Sequence, residues 1–139
     1  MYLDTSVLVK RYTSEPDSDE VDARLIGATL VTSDLALGEV WSALLAKERG
    51  RMLTAAQRVA AWAALQEDVA AGALHLIPLD RILIREANAV MLAVHPQVPL
   101  RTLDAIHLAT YQSVTAGPLF TKDSRMLAAA QRLGFPTVE

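Results

Sequence analysis

Met1-Tyr2-Leu3-Asp4-Thr5-Ser6-Val7-Leu8-Val9 reads as a short apolar strand that breaks at a carboxylate and continues as a helix. A strand with no polar alternation suits a sheet covered on both faces. Thr5 or Ser6 stands where a cap for a helix over 6–13 is expected, and Pro16-Asp17-Ser18 opens a second helix to about Ile26. The same pattern then recurs. Ala28-Thr29-Leu30-Val31-Thr32 is a second strand, and Ser33 or Asp34 begins a helix from 35 to about 48 that Gly50 stops; Asp34 is assigned to capping. Thr54 starts an alanine-rich helix that ends at Gly72, and Leu74-His75-Leu76-Ile77 is a strand closed by Pro78. Helices are expected at about 80–94 and 102–116, separated by Pro96 and Pro99. Leu119-Phe120-Thr121 is a strand, 124–133 a helix ended by Gly134, and Pro136-Thr137-Val138 a last edge strand.

Strands separated by helices predict an α/β fold, a central and mostly parallel sheet flanked by helices, as one domain over residues 1–139. The helical pair within 34–72 interrupts the alternation and is expected to project as a hairpin, a shape suited to gripping a partner. In open parallel sheets, sites form outside the carboxyl ends of the strands. Asp4 and Asp123 both follow a strand end, so the topology should bring them to one rim.

Composition narrows the classes. The chain has no cysteine, which excludes a disulfide scaffold, thiolate metal sites and cysteine nucleophiles and fits a reducing compartment. No apolar run approaches the ~20 residues of a membrane span, and a cytoplasmic protein is expected. The net charge of -3 argues against retention on nucleic acid by general electrostatics. Local cations work the other way: Lys10 and Arg11 follow Asp4, Arg101 precedes Asp104, and Lys122 and Arg125 flank Asp123.

Four carboxylates stand where structure alone gives them little reason to be. Glu39 has Leu35, Ala36, Ser42 and Ala43 at its helical neighbours, where a surface glutamate would ordinarily have a basic partner. Asp104 interrupts Leu103-Asp104-Ala105-Ile106-His107-Leu108-Ala109, although aspartate is a poor helix former; a pair with Arg101 is the bland alternative. Asp4 and Asp123 have a stronger bland reading as helix caps. Ser6 and Thr121 carry hydroxyls beside those two acids, and His107 is read as a packed or supporting histidine rather than a ligand. Buried acids must be paired or hold a cation, so four of them brought together favour a divalent ion with all-oxygen ligands. Lys47, Arg49 and Arg51 form a basic hairpin tip, read mainly as solvated.

Tyr2-Leu3-Asp4-Thr5-Ser6-Val7-Leu8-Val9-Lys10, Ser33-Asp34-Leu35-Ala36 through Glu39-Val40, Arg101-Thr102-Leu103-Asp104-Ala105-Ile106-His107-Leu108-Ala109 and Thr121-Lys122-Asp123-Ser124-Arg125-Met126 together resemble PIN-domain ribonucleases. Within that family the likeness is to VapC toxins of type II toxin–antitoxin modules. It spans the chain in order, through Leu133-Gly134-Phe135-Pro136. The resemblance implies a PIN fold with catalytic, metal-holding acids at Asp4, Glu39, Asp104 and Asp123 and supporting hydroxyls at Ser6 and Thr121. It further implies Mg2+ or Mn2+ as cofactor, RNA as substrate, a homodimer, and a cognate antitoxin whose basic tail reaches the acidic pocket. Tyr111 departs from the pattern, where a small residue is expected; it either narrows the groove or packs.

The chemistry expected is two-cation hydrolysis, with ions roughly 3.5–4 Å apart bracketing the attacking and leaving oxygens of a phosphodiester. Three readings compete with it: a PIN nuclease of RNA processing outside any toxin system, a phosphatase-like domain with Asp4 as nucleophile, and a non-catalytic α/β binding module whose acids merely cap helices. The phosphatase-like reading lacks the second acid such sites place beside the first strand.

Overall fold

Tyr2 and Leu3 point to opposite sides of the sheet, as successive strand residues must, and each nucleates a different half of the core. Leu3 packs with Val7, Leu8, Val40, Leu44 and Phe120 on one face; Tyr2 packs with Val90, Ile106, Leu108, Leu119 and Met126 on the other. The computed structural model describes residues 1–114 and 116–138. Among them the strands are β1 (Tyr2–Leu3), β2 (Leu30–Ser33), β3 (Leu74–Ile77), β4 (Leu119–Phe120) and β5 (Thr137–Val138). The helices are α1 (Thr5–Tyr12), α2 (Ser18–Leu25), α3 (Leu35–Arg49), α4 (Ala55–Ala70), α5 (Arg81–Val94), α6 (Thr102–Ser113) and α7 (Ser124–Arg132).

All pairings are parallel and the order is β3-β2-β1-β4-β5, so β5 is the edge strand that the sequence leads one to expect. From β1 the chain builds outward in one direction to β2 and β3, then crosses back to add β4 and β5. The reversal lies between β1 and β4, and their carboxyl ends flank the crevice that such a reversal opens. Asp4 follows β1 directly, and Asp123 lies just past the end of β4.

Several local expectations are corrected. The cap of α1 is Asp4 itself, which accepts from the Val7 N–H at 3.1 Å, rather than Thr5 or Ser6. Asp34 caps nothing with its side chain; the Ser33 hydroxyl accepts from Leu35 N instead. Gly50 does end α3 as its C-cap, but with φ -76; the left-handed conformation falls on Arg51 (φ 57). α6 ends at Ser113, and the expected extension to 116 crosses Thr115, which lies outside the described residues. The hairpin of α3 and α4 is anchored in the body of the protein, because Leu44 and Leu65 are fully buried in the core. Its two tryptophans, half-buried, meet edge to face at 5.0 Å.

Candidate active site

The four acids arrive from four stretches of chain. Asp4 comes from the β1–α1 junction, Glu39 from the second turn of α3, Asp104 from the first turn of α6 and Asp123 from the cap of α7. The helices following β2 and preceding β4 run back along the sheet, which puts the start of α3 and of α6 at the same rim as Asp4. All four line one cavity of about 400 Å³, together with Thr5, Ser6 and His107. The fold thus gathers acids that lie far apart in sequence around a single space. Among the described residues, however, no three carboxylate or imidazole groups stand close enough to form a ready cation cage. The hydrogen bonds around each acid give the reason.

Asp4 is held inward. Its Oδ1 accepts from Ser6 Oγ (2.7 Å) and Val7 N, and its Oδ2 accepts from Thr121 Oγ1 (2.7 Å). Burial pushes its carboxyl above the usual range, and those hydrogen bonds and His107 oppose the push. Thr121 is tied on both sides, since its Oγ1 also accepts from Asp123 N at 3.0 Å. Asp123 spends Oδ1 on the N–H groups of Arg125 and Met126. Both Asp4 and Asp123 are thus genuine helix caps and also pocket acids; the two readings coexist because a carboxylate has about four lone-pair sites, which the cap bonds do not exhaust.

Glu39 leans toward the core. Its Oε2 accepts from Thr5 Oγ1 at 2.5 Å and from His107 Nε2 at 2.7 Å. Burial would raise its carboxyl, but these two donors outweigh it and hold the group below the usual range. His107 is 2% exposed and is fixed in turn by Tyr2, whose hydroxyl meets Nδ1 at 2.9 Å. Burial keeps the Tyr2 phenol protonated, far above its ordinary pKa, and the His107 ring bridges the Tyr2 hydroxyl and the Glu39 carboxylate. The sequence pattern identifies His107 as a supporting residue but gives no sign of Tyr2 or Thr5. We expect Tyr2→Phe to cost about 1–3 kcal/mol by leaving a buried ring nitrogen unpaired, measurable by urea unfolding.

Asp104 differs from the rest. Its Oδ2 is buried without a hydrogen-bond partner among the described residues, and Arg101 acts on the carboxyl through a backbone hydrogen bond and its charge. Burial raises its carboxyl above the usual range, and the negative charge of Asp123 adds to the effect. A buried carboxylate oxygen without a partner is costly unless something compensates it, and a hard divalent cation is a group that would. Tyr111, the departure from the expected pattern, packs: it is 8% exposed, sits against Tyr2 and Phe135, and donates to Gly117 O.

Residues 1–132 match the family model of the PIN domain. Ribonuclease VapC46 of Mycobacterium tuberculosis is 37% identical over 141 residues, covering 99% of this chain and 95% of that protein. Ribonuclease VapC35 of the same species is 34% identical over 144 residues, with the same coverage of both chains. The crystal structure of M. tuberculosis VapC20, described as a sarcin-ricin loop cleaving toxin, superposes with a TM-score of 0.73 at 22% identity, over 99% of this chain and 98% of that one. A chain from a toxin–antitoxin complex of Klebsiella pneumoniae gives 0.60 at 16% identity, over 91% of this chain and 89% of that one. At those identities the structures speak for the fold, which they share with the five-stranded parallel sheet seen here. The chain belongs to the PIN domain family, and its curated relatives place it among the VapC-type members.

Proposed function

We propose that this protein is a divalent-cation-dependent endoribonuclease and the toxin of a toxin–antitoxin pair, acting through one domain over residues 1–139. The observation that carries the reading is the buried and unpartnered Oδ2 of Asp104, a residue that lines one cavity with Asp4, Glu39 and Asp123. Kinship with curated VapC ribonucleases along almost the whole chain supports RNA as the substrate.

Asp4 and Asp104 are the principal holders of a cation, with Glu39 and Asp123 completing a second position or acting through water. Mg2+ or Mn2+ suits the all-oxygen donors, and when bound supplies Lewis acidity that activates water and offsets charge on the phosphate. Ser6 and Thr121 fix the Asp4 carboxylate so that it need not reorganise when the ligand enters. Thr5 and His107 do the same for Glu39 by holding Oε2. Because attack comes from water, the 2′-hydroxyl takes no part, and cleavage leaves 5′-phosphate and 3′-hydroxyl ends. End-group analysis of RNA fragments tests this: 2′,3′-cyclic phosphate ends would mean a different, cation-independent mechanism.

The same pocket suits inhibition by a partner. A guanidinium can bridge two carboxylates, so an antitoxin with a basic tail would neutralise the site. A K. pneumoniae toxin–antitoxin complex with the same fold gives this reading a structural parallel. Homodimer formation and a cytoplasmic location belong to the same proposal; among the described residues no helix is long and apolar enough to cross a membrane.

A further inference from the structure

The cavity that the acids line also carries a charge-balanced cluster of lysines and carboxylates. Lys10 of α1 and Lys47 of α3 line it as well, with Glu15 between them. Lys47 belongs by sequence to the hairpin tip, yet its ammonium turns into the cavity and meets Glu15 Oε1 at 2.8 Å. Lys10 meets Glu15 Oε2 at 3.1 Å and Asp17 Oδ1 at 2.7 Å. The side chains of Lys10, Lys47 and Glu15 are each about one-fifth exposed (20%, 20% and 22%), so these are fixed groups rather than solvated tails. Glu15 is itself anchored. Its N–H donates to Ser18 Oγ, and its Oε1 accepts from the buried Thr13 hydroxyl at 3.2 Å. Partial burial would raise the Glu15 carboxyl, but Lys47 and Lys10 hold it below the usual range.

We infer that Lys10 and Lys47, held together by Glu15, form a subsite for a backbone phosphate adjoining the one that is cut. This rests on the nuclease reading and extends it. An ammonium carries three donors; Lys47 spends one on Glu15 in the structure, and Lys10 spends two. Asp17 is the more exposed of the two Lys10 partners (33% against 22%) though its contact is the shorter, so an incoming phosphate oxygen has to displace it from Lys10 while Glu15 stays. Lys10 lies six positions after Asp4, about 9 Å along α1, which places its ammonium beyond Asp4 rather than beside it. With Asp17 displaced, two ammonium groups face the single carboxylate of Glu15, a local positive excess that a phosphate fills even in a chain with a net charge of -3. Glu15 acts as a positioning residue: it sets the separation of the two ammonium groups.

The test uses a short fluorescein-labelled single-stranded RNA of mixed sequence and the full chain. In the Lys10→Ala/Lys47→Ala variant, KM should rise at least tenfold more than kcat falls. In an Asp104→Asn background, which binds without cutting, the slope of log affinity against log salt should become shallower by roughly 0.7 for each lysine removed. Lys10→Arg/Lys47→Arg should restore both readouts, which a purely structural clamp would not require. Wild-type protein that cuts RNA, with the alanine variant unchanged in KM and salt slope, overturns the subsite alone. Wild-type protein that cuts no RNA under any cation overturns the nuclease reading beneath it.

Discussion

Asp104→Asn should lower RNA cleavage by two or more orders of magnitude while making the cation-free protein more stable. The substitution keeps the shape of the side chain but removes a charge from the acid whose Oδ2 has no partner. Loss of a charged ligand removes stabilisation that operates in the transition state, where effects of about 100- to 1000-fold per group are ordinary. The stability gain has a different origin. Burial and Asp123 raise the Asp104 carboxyl in the folded state. A raised acid contributes stability below its unfolded pKa and loses it as pH rises through the folded value. At neutral pH the ionised aspartate therefore costs stability that asparagine does not. We expect a gain of about 1 kcal/mol, kept small because the group is only partly buried and is screened by solvent. The difference should vanish once the pH falls below the ordinary carboxylate range. Paired urea titrations at neutral and acid pH read it directly.

Asp4→Asn should abolish cleavage to a similar degree but without that stability gain. Thr121 Oγ1 donates to Asp4 Oδ2 in the native protein and also accepts from Asp123 N. An amide at the Oδ2 position offers a donor to a hydroxyl that needs an acceptor, and Thr121 is 1% exposed. The mismatch costs about 1–3 kcal/mol, against which relief of the desolvated charge works. Equal stabilisation by both substitutions would mean that the inward hydrogen bonds of Asp4 are not what fixes it.

Much of this arrangement is legible in the sequence, and the boundary has a physical cause. Apolar runs and helix breakers set out the strand and helix order, because those signals are local. That Asp4 and Asp123 meet follows from their position after parallel strands, since topology alone takes strand ends to one rim. Glu39 and Asp104 stand out because their helical neighbours do not pair with them. Which side chains meet across the core is not legible. His107 contacts partners 105 and 68 positions away, and periodicity says which helix face is buried but not what faces it. Lys47 reads as a solvated tip residue because its partner, Glu15, lies outside its own helix. The caps fail for a third reason. Ser33, Asp34, Asp4, Thr5 and Ser6 are all good capping residues, and neighbouring choices differ by a few tenths of a kcal/mol, so tertiary demands decide among them.

The central claim is that these acids form a cation-dependent hydrolytic centre, and one measurement addresses it most directly. Purified protein is freed of metal with chelator, then assayed on single-stranded RNA as Mn2+ is added, wild type beside Asp104→Asn. Wild type should be silent in chelator and recover full cleavage with Mn2+, while the variant stays at least a hundredfold slower at the same cation level. Cleavage that persists in chelator, or a variant that recovers as the wild type does, would contradict the account.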